Sequence, residues 1–291
     1  MRHHETQQNS GGDGVCRCRG IGGPEERYLA FDAAVDSADK AKARAAEIRA
    51  RVRRLLDLPE GEIAPRHVDE RGVTQEQGVR VQRLVMETDP AVYVPCLLLS
   101  PAARAAPAAK DAGRAAVVWV CSRGKGAVLR GRREPLLQLL AGGISVLIPD
   151  VRGVGESASD TDDTFMGDDA SLNGYGIRLA KPLIGMRVKD VLCAAAYLRT
   201  RPDVDPGRVG VIGDSLSACN LPQLRQLRLI ADPGIGELEQ AESLGRALAL
   251  FAFAADERLA CAGVRGCSGR TSRSAAIPIS SIRSRSSFRT F

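Results

Sequence analysis

A serine opens an ester when a base takes its proton and nearby donors receive the charge that builds on the carbonyl oxygen. Gly213-Asp214-Ser215-Leu216-Ser217 offers such a serine. It follows the apolar run Val209-Gly210-Val211-Ile212, so Ser215 stands where a buried strand ends. A strand that turns sharply into a helix at a serine crowds the residues two before and two after it, and both must be small. Gly213 and Ser217 meet that condition, Ser217 in place of the usual glycine. In such a turn the backbone N–H of Leu216 faces the developing oxyanion, and a second donor is expected from the loop after Ala115–Val120, at Ser122, Arg123 or Gly124.

The partners of a nucleophilic serine are harder to find. Imidazole takes a serine proton best near neutral pH. The histidines are His3, His4 and His67, all ahead of Ser215, and no Asp or Glu follows Glu257. His67 reads as a solvated residue of a polar loop, and Asp214 as a solvated turn residue. Arg123 and Lys125 read as exposed. Cys16 and Cys18 have no second Cys/His pair at metal-site spacing, so no metal site is expected. Five of the eight cysteines lie in apolar surroundings and read as small buried residues.

The elements that must position Ser215 follow from periodicity. Ser37 caps a helix whose apolar face is Ala41, Ala45, Ile48, Val52 and Leu55, stopped by Pro59 and Gly61. Its arginines read as a solvated surface. Two consecutive strands are expected from about Val79, with Thr88-Asp89-Pro90 as their turn. Ala115–Val120 and Ile144–Pro149 are continuous apolar runs of the buried-strand type, with a short Leu-rich helix between them that ends at Gly142. Gly185–Pro202 reads as a helix with Val188, Val191, Leu192, Ala195 and Leu198 as its stripe. A strand ending at Ser215 follows, and Leu244–Gly266 reads as helix then strand. Alternation of strand and helix from Ala115 implies an α/β fold: a mainly parallel sheet with helices on both faces and antiparallel first strands. In such sheets chemistry sits outside the carboxyl ends of the strands.

Here a resemblance enters. Asp150-Val151-Arg152-Gly153-Val154-Gly155-Glu156-Ser157 is similar to the D-x-R-G-x-G-x-S segment after the fourth strand of α/β-hydrolases. Residues 185–215 resemble the helix-to-elbow segment of acetyl xylan esterases, cephalosporin-C deacetylases and prolyl-oligopeptidase-like members, and residues 174–188 resemble the stretch before it. The resemblance runs from about Val79 to Gly266. It implies a serine esterase with Ser215 as nucleophile, Leu216 and Ser122 at the oxyanion hole, a small-molecule or carbohydrate ester as substrate, and no cofactor. It also implies that Asp150 and Arg152 brace the loop above the fourth strand. Two other likenesses are weaker. Ile212–Ser217 matches the opening block of GDSL hydrolases, but there the serine follows the first strand. Cys121–Ala127 resembles the C-S-R-x-G-K-G nucleophile motif of glucuronoyl esterases, short by one residue.

The chain departs from the family pattern twice. The nucleophile helix should run on from Ser217, yet Pro222 interrupts and residues 220–243 intervene before Leu244-Gly245-Arg246. Leu221, Leu224, Leu227 and Ile230 have roughly helical spacing, which suggests packing. After Gly266 the composition changes to an Arg/Ser-rich stretch without acids. It reads as a frameshifted end that replaces the last strands, with the acid and the histidine lost and activity weak or absent. The alternative is a non-catalytic, degenerate hydrolase or binding module that works through this basic tail.

The domains expected are a disordered segment 1–25, a helical segment 26–74, an incomplete hydrolase domain 75–266 and a disordered tail 267–291. The net charge of +6 arises from six arginines between Arg265 and Phe291; without them 35 basic residues face 35 acidic ones. The body is neutral and gives no reason to expect a nucleic-acid partner. No apolar run approaches a membrane span, and the N-terminus shows no apolar core of a secretory signal.

Overall fold

The computed structural model describes residues 37–102, 113–158, 169–215 and 244–265. Both segments expected to be disordered lie outside the described residues, as do Leu216, Ser217 and the intervening stretch 220–243. The chain divides into Met1–Glu47 and Ile48–Phe291. In the first unit, α1 (Ala38–Leu55) begins where the Ser37 hydroxyl accepts the N–H of Lys40, 3.3 Å away.

The second unit is built on one seven-stranded sheet in the order β1-β2-β3-β5-β4-β6-β7. β1 (His67–Glu76), β2 (Val79–Asp89) and β3 (Val92–Pro101) form an antiparallel meander. Its turns have two residues each, Gln77-Gly78 and Pro90-Ala91. Positive φ at Gln77 (48°) and Gly78 (78°) matches the mirror-image turn whose twist suits a hairpin. β3 pairs antiparallel with β5 (Ser145–Pro149), and β5, β4 (Arg114–Cys121), β6 (Val204–Asp214) and β7 (Ala262–Arg265) run parallel.

The apolar runs divide between the two faces by parity, as strand geometry requires. From β4, Ala116, Val118 and Val120 face one core, while Val117, Trp119 and Cys121 face the other. The first core is covered by α5 (Leu183–Thr200) and α6 (Leu244–Ala255), the second by α2 (Gly124–Gly131) and α3 (Arg133–Ala141). The stripe expected on α5 is buried, with Val188, Val191, Ala195 and Leu198 at 0% exposure. The burial goes further and takes in Cys193, Ala194 and Ala196, because α6 packs on α5 as well.

Several expectations need correction. β1 occupies His67–Glu76, where a helical segment and a loop were expected. Its residues are mostly polar and mostly exposed, with only Val68 partly buried against the core, so it carries no alternation to read; pairing with β2 makes it a strand. The loop at Ser122–Gly124 leads straight into helix α2, and α4 (Asp169–Arg178) occupies the stretch before α5. On α1, Ile48 and Leu55 are exposed and Val52 is half-buried against the core. The α1 arginines are not all solvated: Arg53 Nη1 donates to the Ala255 carbonyl at the C-terminus of α6 (3.0 Å), where a cation suits the helix dipole. Among the described residues no helix is long and apolar enough to cross a membrane.

Candidate active site

The chain leaves β4 toward β5 on one side and later returns to β6 on the other. The crevice between these directions lies at the carboxyl ends of β4, β5 and β6, where open parallel sheets bind ligands. Three polar ends meet there: Cys121-Ser122 after β4, Asp150 after β5, and Asp214-Ser215 closing β6. Cys121 and Asp214 are level with each other on neighbouring strands.

Ser215 is 1% exposed, and its N–H donates to the carbonyl of Arg265, the last residue of β7 (2.9 Å). Asp214 is not a solvated turn residue. It is fully buried, and Arg132 grips its carboxylate in a fork, Nε to Oδ2 at 2.7 Å and Nη2 to Oδ1 at 3.1 Å. Nη2 also donates to the Ser215 carbonyl at 3.4 Å. The hydrogen bond to the Asp214 carboxylate raises the affinity of the Arg132 guanidinium for its proton. Arg132 sits at the joint between α2 and α3, far from Asp214 in sequence, and no local pattern foretold it.

Ser122 lies on the turn between β4 and α2, with Gly124 in the left-handed region (φ 72°). Asp150 is 1% exposed and accepts from Lys125 N (2.6 Å), Lys125 Nζ (2.6 Å) and Glu156 N (2.8 Å). Lys125 is therefore not an exposed loop cation: its ammonium is held between Asp150 and Glu156. The carboxylate fills the space a Cβ would need on Gly155 (φ 60°), and its Oδ1 would lie 2.7 Å from a Cβ on Gly124. Asp150 thus clamps the turn after β4 to the loop after β5.

Arg152 anchors that loop from the other side. Its Nε and backbone N–H donate to Asp190 Oδ2 on α5 (2.9 and 3.1 Å), and Nη2 reaches Asp89 at the end of β2 (3.0 Å). Burial works to raise the Asp89 acid, but the bonds from Lys189 and Arg152 outweigh it and hold the carboxyl below its ordinary range. The bracing expected of Asp150 and Arg152 is what both residues do. His67 opens β1 at the far edge of the sheet, five strand positions from β6, or about 24 Å at the usual spacing.

Neither a family model nor a curated protein sequence matches the chain. Solved structures do. A Bacteroides fragilis NCTC 9343 protein described as an acetyl xylan esterase aligns with a TM-score of 0.57 at 14% identity, over 84% of this chain and 61% of its own. The methylesterase BT1017 aligns with a TM-score of 0.53 at 16% identity, over 82% of this chain and 44% of its own. The fold is that of the α/β-hydrolases, and the chain spans 61% and 44% of the length of these two structures.

Proposed function

We propose that the carboxyl ends of β4 and β6 form the acyl-transfer site of a carboxylic ester hydrolase, with Ser215 as nucleophile and the turn at Ser122 supplying an oxyanion donor. The observation that carries this reading is the position of Ser215: it directly follows an interior parallel strand, at the crevice where the fold gathers its polar strand ends. The substrate class is a small-molecule or carbohydrate ester, in keeping with the names of the two solved neighbours. No cofactor is assigned.

The same reading makes turnover by this 291-residue polypeptide slow. His67 is too far from Ser215 to take its proton, and removing the triad histidine from a serine hydrolase costs on the order of 10⁶-fold in turnover. Oxyanion stabilisation and substrate binding leave some rate above water. One observation favours a second, non-catalytic reading: Ser215 is 1% exposed. Reaction of the purified chain with a fluorophosphonate, followed by peptide mapping, separates the two. A phosphonyl group that forms slowly on Ser215, yet ahead of the exposed serines, supports the hydrolase site; labelling of Ser215 no faster than of exposed serines points to the non-catalytic reading.

A further inference from the structure

The strongest departure from a continuous elbow is the stretch after Ser215, and the described residues on either side of it meet. A Cβ placed on Gly213 would lie 2.7 Å from the Ala249 Cβ and closer still to the Gly245 carbonyl; one on Gly245 would come within 2.9 Å of the Asp214 and Val120 carbonyls and 3.0 Å of the Cys121 Cα. The end of β6 and the start of α6 therefore touch backbone to backbone. That contact requires glycine on both sides, since nothing there can yield to a side chain. This is the crowding that a strand–serine–helix turn imposes on the residues two before and two after its serine.

The sequence repeats across the gap. In the sequence Ser215-Leu216 follows β6, and Ser243 precedes Leu244-Gly245, the first residues of α6. In the continuous reading the second small residue is Ser217. Taken from α6 it is Gly245, and the pattern Gly213-Asp214-Ser-Leu-Gly245 satisfies G-x-S-x-G at every position. We infer that the elbow is split: Gly213-Asp214-Ser215 and Leu244-Gly245 are its two halves, and residues 216–243 are inserted between them. Gly245 is then the positioning residue that closes the turn, and the Leu244 N–H takes the place in the chain first assigned to Leu216.

The geometry allows direct joining. With a Cα–Cβ bond of roughly 1.5 Å, the Gly245 Cα lies within about 4.5 Å of the carbonyl oxygen that links Asp214 to Ser215, and two trans peptide units span up to about 7.6 Å. One residue, Leu244, bridges Ser215 to Gly245. The inference takes its chemistry from the hydrolase reading above, but its primary test is of folding.

The experiment compares two deletions of equal length in the full chain. One removes residues 216–243 and joins Ser215 to Leu244. The other removes 220–247 and takes the start of α6 with it. The first is expected to melt in one cooperative transition at or above the parent midpoint, with parent-like circular dichroism, and the second to lose that transition. Loss of cooperative melting in the first, or equal melting of both, overturns the split elbow. Fluorophosphonate labelling is then measured on the first deletion. Faster labelling of Ser215 than in the parent, reversed by Gly245→Ala, supports the positioning role. A folded deletion in which Ser215 takes label no faster than exposed serines sinks the hydrolase reading while the split elbow stands.

Discussion

β4 and β6 end side by side, each handing the chain to a serine, yet the two ends are closed by different means. After β4 the chain turns at Ser122 directly into α2, and a single carboxylate, Asp150, ties that turn to the next loop through two backbone N–H groups and an ammonium. After β6 the closure comes from afar. Arg132 crosses from the α2–α3 joint to hold Asp214, and the helix packed on Gly213 begins only at Leu244. A locally closed end keeps its geometry through neighbours in sequence. A remotely closed end depends on parts of the chain that must first find each other, and it tolerates additional residues between its halves.

The sharpest test of this contrast is chemical. Ser215→Ala is expected to abolish whatever fluorophosphonate labelling and p-nitrophenyl acetate turnover the chain shows. Ser122→Ala should leave both near the parent level, because the donor assigned to that turn is a backbone N–H. The reverse pattern would move the nucleophile to the β4 end.

Stability gives the next largest effects. Asp150→Ala leaves the Lys125 ammonium, 13% exposed, without its main partner and frees two N–H donors. Breaking a buried pair of this kind costs about 3–5 kcal/mol, read from urea unfolding. Asp214→Ala should cost less, about 1.5–3 kcal/mol, because the Arg132 side chain is 22% exposed and can turn to water. An equal or larger loss at Asp214 would mean that the remote closure is the stronger one.

The smallest effect is on pH. The folded-state acids of Asp89 and Asp256 are both below their ordinary values. In each, burial opposes the shift and is outweighed, by Lys189 and Arg152 for Asp89 and chiefly by Arg258 for Asp256. The stability they contribute is therefore present above the unfolded carboxyl range, near pH 4, and is lost as pH falls through the lower folded values. Thermal midpoints recorded between pH 6 and 2 should drop below about pH 4, and Asp89→Asn should flatten part of that drop.

The contrast also explains how much could be read in advance. β4, β5, β6 and α5 were legible because their apolar side chains are buried by sheet and helix together, so Ala115–Val120 or Val188–Leu198 reveal themselves as runs and stripes. The Ser37 cap was legible because its partner lies three residues on. β1 was not, since apart from Val68 and Val73 its residues carry polar side chains or none, most of them exposed, and they become a strand only by pairing. Nor were Asp214 and Lys125, whose partners Arg132 and Asp150 are distant in sequence. Of the site, Ser215 and Ser122 could be named from local patterns. Gly245 could not, because its role appears only where α6 meets β6.

The two-residue turns of the meander carry a consequence for how the chain assembles. β1, β2 and β3 pair within residues 67–101, whereas β4 finds β6 only after Ala116 meets Val209. Loop-closure entropy rises with the length enclosed, so contacts between near neighbours form at lower cost and earlier. The meander is thus expected to nucleate folding, and the half that carries Ser215 to condense on it last. Gly78→Ala, at a left-handed position, should slow refolding in stopped-flow traces, while Gly213→Ala should mainly hasten unfolding.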